Sequence, residues 1–531
     1  MYYRKYFLLL PARSYGNQKI TMKKESQLLP VIIPMLAACA VCLLLNGSCT
    51  GSGEETVQIK VDASEKIHTL HAGMGASWHA ISRELPLNVD KYKYTLDFPE
   101  SSRGSAWGGN PPVSDTAAWQ QVKDHASWLG INFLRVEMSQ RMYEPERKKY
   151  DWDNEEMQAL FNILDWCEEN DADVLLQQMW HYTEWNSLPG VHPLISAPKS
   201  LDDFAEGIAT LIEYLTNERG YTCIKYFGMT NEPPGGTWGY WWEYGDETGS
   251  ITDAWRRLKE EFDRRNITIP ISGPGWTDLP PFEEEKLREF EPYFGSIDIH
   301  SYHGVTPEGE ETLGRWAEWA HSKGKPFLLT EYGNMRLGWR GDNPAQKSFE
   351  AAISNATDVI RGLRVRVDGF NRWSFTNRGD LDGQWQLIRT FDIENKEHLP
   401  EVLPEKEAYY GFGILSRFFS KYSSVVKCSV NQPDSVLMAA ALVSPKGELT
   451  IFMVNLSDEP LDVSLEITGT ANKKMNVYQA SKEIVNKEGF SLDVNRTFRS
   501  RNKNMVALPA RSITTVSSYS LNSSEKGIFV R

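Results

Sequence analysis

Cysteine is scarce in this chain, with six residues in 531. Cys39, Cys42 and Cys49 crowd the first fifty positions, which leaves only Cys167, Cys223 and Cys428. Three widely spaced thiols make no disulfide framework and have no metal-ligand spacing. Cys167 and Cys223 sit in apolar patterns and read as buried thiols. No HExxH occurs, and His300 and His303 are three apart without accompanying ligands. Asp380-Leu-Asp382-Gly383 opens like a calcium loop but lacks the downstream glutamate, so neither metal nor cofactor is expected. Positive charge is also missing. The net charge is −14, and six of the Lys and Arg but only one Glu lie before Cys49, leaving 51 cationic against 70 acidic side chains. Such a balance excludes a nucleic-acid partner, whose affinity rests on cationic contacts to phosphate.

The one long apolar stretch is Leu28 to Leu45, preceded by Lys23 and Lys24 and followed by Asn46-Gly-Ser-Cys49-Thr-Gly-Ser-Gly. That layout is a secretory signal, residues 1–48, with Met22 as an alternative start. A small residue before Cys49 resembles the lipobox of bacterial lipoproteins, in which that cysteine is lipidated. The expectation is export across the inner membrane and a lipid anchor at the cell envelope or surface, with residues 49–55 as a polar tether. An uncleaved membrane anchor of about 18 residues is the other reading.

After the tether the chain is ordinary globular material, 41% apolar and 24% charged over the whole sequence. Its length exceeds one hydrophobic core, so two domains are expected, residues 56–404 and 405–531. In the first, short and nearly continuous apolar runs alternate with amphipathic helical stretches, as parallel strands covered by helices do. Eight runs can be counted: Ala72 to Ser77, Asn132 to Met138, Asp173 to Met179, Ile224 to Thr230, Ile269 to Gly273, Ile297 to His300, Phe327 to Thr330, and Gly369 to Phe375. This pattern predicts an α/β (β/α)8 TIM barrel, whose working face is built from the C-terminal ends of its strands. From about Ser424 onward short alternating strands separated by turns predict an antiparallel β-sandwich.

Unusual residues fall at the strand ends. Strand two presents Arg135, strand three ends in Trp180-His181, strand four in Asn231-Glu232, strand six in His300 and Tyr302, strand seven in Glu331, and strand eight carries Trp373. Two carboxylates converging on one bond are what glycoside hydrolysis requires. One protonates the leaving oxygen and the other supports the oxocarbenium-like centre. Eighteen Trp fit the same expectation, because flat rings suit the apolar faces of sugars as well as ordinary cores.

Asn231-Glu232-Pro233, with Glu331 at strand seven, resembles the signature of the clan A glycoside hydrolases. The resemblance covers nearly all of the chain after the tether. It implies retaining cleavage of O-glycosidic, β-type bonds in a poly- or oligosaccharide. Glu232 would be the acid/base, Glu331 the nucleophile, Asn231 the partner of the sugar 2-hydroxyl, Tyr302 a hydrogen-bond donor to Glu331, and Arg135 its supporting cation. Within the clan the layout is most similar to glycoside hydrolase family 30. There, a strand ahead of the barrel, here Thr56 to Asp62, joins the C-terminal sandwich, and a helix like Tyr409 to Phe419 links the domains.

Two wall segments, Trp107 to Pro112 and Gly235 to Tyr244, bring further aromatics towards the expected cleft. Trp373 reads either as an apolar floor beneath the sugar or as barrel packing. Two alternatives stay open beside the retaining hydrolase, namely a non-catalytic surface glycan-binding protein on a degenerate barrel, and an inverting hydrolase. The oligomeric state is not encoded in any pattern found.

Overall fold

The computed structural model describes residues 56–80 and 109–528, apart from 181–182, 194–195, 234–248, 278, 303, 305, 338–343, 377–383, 393, 396 and 502. The signal segment 1–48, the tether with Cys49, Trp107, His181, His303, the loop from Gly235 to Tyr244 and the Asp380 to Gly383 segment lie outside the described residues, as does the side chain of Trp180. Barrel and C-terminal β-domain belong to one unit, Thr56–Arg531.

Eight parallel strands close the barrel. The first is split by a one-residue break at Ser77 into Met74–Ala76 and Trp78–His79. Its first half pairs with the eighth strand, Gly369–Arg372, and its second half with the second, Phe133–Ser139, so the ring has no free edge. Between them run Asp173–Trp180, Ile224–Gly228, Ile271–Trp276, Ser296–Ser301 and Phe327–Tyr332. All eight coincide with the apolar runs. Close packing inside the ring depends on Gly75, where an added Cβ would lie 1.9 Å from the Phe133 carbonyl oxygen.

The helices are set by their caps. Asp115 accepts from Ala118 N–H and starts Thr116–Leu129, which Gly130 ends in the left-handed region at φ 65°. The helix before strand seven is Pro307–Ser322. Thr306 caps it and Pro307 occupies the first turn, where a missing N–H costs nothing.

The C-terminal domain is a nine-stranded sheet curled around its own core. Its order runs Arg496–Arg499, Lys474–Ser481, Ser512–Ser517, Leu449–Asn455, Leu437–Val443, Ser424–Val430, Val57–Thr69, Leu461–Thr468, Asn504–Leu508. Strict alternation sorts its side chains. Leu437, Ala439 and Ala441 face the domain's own core together with Ile451 and Met453. Met438, Ala440 and Leu442 face the other way and join the barrel core. The strand Val57–Thr69 is parallel to Leu461–Thr468, antiparallel to Ser424–Val430, and feeds directly into the barrel. A linking helix, Lys406–Ser416, fills the seam, and Arg417 just beyond it donates to the Trp128, Glu525 and Asn522 carbonyls.

At the barrel floor, Asp368 is buried and takes hydrogen bonds from His68 (2.5 Å), His321 (2.7 Å) and the Phe327 N–H (2.8 Å). The two imidazole rings stack at 4.8 Å. This cluster ties the first sandwich strand to strands seven and eight.

Candidate active site

Strand alternation brings Arg135 and Glu137 inward from strand two, one above the other. At strand six His300 stands in register with Glu331 of strand seven. Glu232 lies one turn past strand four with φ 48°, a left-handed conformation that a glutamate rarely adopts, and its N–H donates to the Gly275 carbonyl at 3.0 Å. Backbone strain of this kind gathers at functional positions.

The side chains converge. Arg135 is fully buried, and its Nη1 donates to Glu331 Oε1 and, at 2.7 Å, to Glu137 Oε1. Its Nη2 donates to Asn231 Oδ1 at 2.5 Å. Tyr302 donates its hydroxyl to the other oxygen of Glu331. His300 Nδ1 lies 2.7 Å from Glu232 Oε1 and 3.2 Å from Glu331 Oε2. One carboxylate oxygen each from Glu232 and Glu331 and one nitrogen of His300 all lie within 4.8 Å of one another. Arg135, Asn231, Glu232, His300, Tyr302 and Glu331 are therefore brought together. Trp373 sits just beyond strand eight, 6% exposed, with its ring edge-on to His79 at 4.8 Å. Trp180 terminates strand three.

Burial sets the electrostatics and the partners divide them. Burial pushes the Glu232 carboxyl up to about 7, opposed by a hydrogen bond from Thr277 and by the Arg135 charge. Burial also raises Glu331, but His300, Arg135 and the Tyr302 hydroxyl pull it back, while Glu232 adds repulsion. Two carboxyls this close do not both ionise freely. Arg135 and Tyr302 contact Glu331 directly, so the anion belongs on Glu331 and the shared proton on Glu232. Burial lowers His300 to about 4, which makes it a neutral imidazole at pH 7. It also holds the Tyr302 hydroxyl well above its usual range, so it remains a donor. At Arg135 burial opposes the charge, yet Glu331 and Glu137 outweigh it and keep the guanidinium cationic.

Two residues escaped the sequence reading. Glu137 is fully buried, and its partners His79 and Arg135 overcome the burial penalty and lower it below the usual carboxylate range. His79 is buried with Nδ1 at 3.2 Å from Glu137. The signal for Glu137 was its spacing two residues after Arg135 in a strand, which puts both on one face. His79 follows the expected end of strand one and carried no such signal.

Among the described residues, two groups offer donor sets of the kind that hold metal ions. In the upper one, Glu232, His300 and Glu331, the Arg135 cation already sits against the carboxylate of Glu331. In the lower one, His68, His321 and Asp368, both imidazoles bond the carboxylate directly and lie stacked at 29°.

A family model described as Cellulase (glycosyl hydrolase family 5) matches residues 89–361, just over half of the chain. The chain belongs to that family. It is a clan A glycosidase. The full two-domain architecture resembles solved structures at low identity. A family 30 endoxylanase from Clostridium papyrosolvens C71 is 11% identical with a TM-score of 0.59, over 87% of this chain and 99% of that one. A conserved exported protein from Bacteroides fragilis is 14% identical at 0.57, over 87% and 100%. The endo-β1,6-glucanase BT3312 is 13% identical at 0.57, over 87% and 94%. No curated protein matches. The barrel with its sandwich-joining strand is thus a fold this family 5 member shares with family 30 structures, as the sequence resemblance implied.

Proposed function

We propose that this glycoside hydrolase cleaves β-linked poly- or oligosaccharides by double displacement, with Glu331 as nucleophile and Glu232 as acid/base. The observation that carries the reading is the nearest approach of the two carboxylates, within 4.8 Å, in unequal environments. Retaining glycosidases hold their carboxyl groups about 5–5.5 Å apart, whereas inverting ones need about 6.5–9.5 Å to admit a water. In the first step Glu331 attacks the anomeric carbon, the glycosidic C–O bond breaks, and Glu232 gives its proton to the leaving oxygen. Glycosylation removes the Glu331 anion, so the Glu232 carboxylate left by that transfer no longer faces a neighbouring negative charge and stays ionised. It then takes a proton from the water that attacks the anomeric carbon and frees Glu331.

Asn231 has its oxygen bound to Arg135, so it would meet the sugar 2-hydroxyl from its Nδ2 side. A glucan or xylan backbone is the substrate class to test first, because a xylanase and a glucanase are among the structural neighbours. Export and lipidation at Cys49 belong to the same proposal. Membrane fractionation of the native chain against Cys49→Ala tests them.

The functional test is a panel of β-glucans and β-xylans digested by the wild type and by Glu331→Gln, with the anomer of the first product read by NMR. Hydrolysis with retention that vanishes in Glu331→Gln is expected. Inverted product refutes the mechanism, and glycan binding without any hydrolysis would favour a degenerate binding barrel.

A further inference from the structure

The nucleophile's cation is not wholly its own. Arg135 Nη1 carries two N–H groups, and the second goes to Glu137 Oε1 at 2.7 Å. Two oxygens hydrogen-bonded to one nitrogen lie within about 5–6 Å of each other. Glu137 is therefore a second buried anion beside Glu331, held below the usual carboxylate range by His79 and Arg135. On its far side Glu137 Oε2 faces His79 Nδ1 at 3.2 Å, and the His79 ring meets the Trp373 ring edge-on at 4.8 Å. His79 is itself fixed, because its carbonyl accepts from Asn110 Nδ2 at 2.5 Å and its backbone is in register with Glu137.

We propose that Glu137, backed by His79, is a positioning residue that fixes the Arg135 guanidinium between Glu331 and Asn231 and divides its charge. This rests on the reading of Glu331 as nucleophile. The division has chemical value. An undivided buried guanidinium would stabilise the Glu331 anion further and make it a poorer attacking group, whereas a shared one holds it ionised but reactive. Geometry supplies the other half. With Nη1 anchored on Glu137 and Nη2 on Asn231, the guanidinium plane cannot swing away from Glu331 Oε1. The contact to His79 extends the same chain of packed groups to Trp373, just beyond strand eight.

The test compares wild type, Glu137→Gln and Glu137→Asp. Glutamine keeps the shape and an acceptor oxygen but removes the charge. Losing an anion near Glu331 favours its ionised form, so its protonation must move to lower pH, by about one pH unit or more for charges this close at an effective dielectric near 20. The acid limb of kcat/KM should move down with it, kcat should fall about tenfold or more with KM little changed, and Glu137→Asp should return the limb towards wild type. A purely structural role would lower the thermal midpoint of Glu137→Gln and leave the limb in place.

Glutamate labelled with 13C at the side-chain carboxyl, with Glu331 assigned by its loss in Glu331→Gln, reads the same quantity without any substrate. An unmoved Glu331 titration in folded Glu137→Gln overturns the proposal. A moved titration in a protein that hydrolyses no glycan leaves Glu137 as the electrostatic partner of Glu331 and sinks the functional reading instead.

Discussion

Replacing Tyr302 by Phe removes one oxygen and one hydrogen bond from the centre of the site. The ring stays supported, since it packs edge-on against Trp385 at 5.5 Å. What is lost is the hydroxyl donated to Glu331 Oε2, in a place where burial already disfavours the anion. A hydrogen bond to a charged group contributes about 1.5–3 kcal/mol, which corresponds to about one to two pH units of carboxyl protonation. Removing a donor to the charged form raises the Glu331 value, so the acid limb of kcat/KM moves up by that amount. The basic limb is set by loss of the Glu232 proton near 7 and moves little. The window between the limbs narrows from the acid side, and kcat/KM on the acid side of the wild-type limb should fall by roughly tenfold or more. The assay is a pH series of initial rates on whichever β-glycan the wild type cleaves, with circular dichroism confirming the fold. An acid limb that stays put, or moves to lower pH, would refute the reasoning that Tyr302 stabilises the Glu331 anion.

Glu232→Ala should reduce kcat on an unactivated glycan by about 10²–10⁴-fold, and azide should restore turnover of an aryl glycoside with a good leaving group, giving a glycosyl azide of retained configuration detectable by mass spectrometry and NMR. Asp368→Asn should destabilise the protein by roughly 2–4 kcal/mol in urea unfolding at pH 7, because two imidazoles lose their buried carboxylate. The Asp368 value is depressed in the folded state, so its contribution is present above the ordinary carboxylate range and fades as pH falls through the depressed value; the gap between wild type and variant should therefore close in acid. Gly75→Ala should cost about 3 kcal/mol or more, or prevent folding, since the new methyl would meet the Phe133 carbonyl and neither backbone can move without opening the barrel.

The barrel was legible because parallel strands buried on both faces leave nearly continuous apolar runs, and all eight were visible as such. Asn231, Glu232, His300, Tyr302 and Glu331 were legible for a different reason, whereas Arg135 lies inside its strand and stood out by its charge. A polar or charged side chain directly after an apolar run cannot be packed away with its strand, so it marks the mouth. Glu137 was missed because it sits inside the run, where alternation makes an inward glutamate look like part of the strand, and only its pairing with Arg135 and His79 explains why it is tolerated. The left-handed backbone at Glu232 leaves no trace in residue type, because glutamate has no local preference for that conformation. The hairpin of Ile388–Asp392 with Glu397–Pro404 also went unread, because its second strand is mostly exposed and contains Pro400.

The central claim is that Glu331 forms the bond to the sugar. Incubation with 2,4-dinitrophenyl 2-deoxy-2-fluoro-β-glycosides of cellobiose and xylobiose, followed by peptide mapping, tests it directly. The account predicts a single glycosyl adduct on Glu331, formed faster in the wild type than in Tyr302→Phe. An adduct on Glu232, Glu137 or any other residue would contradict it.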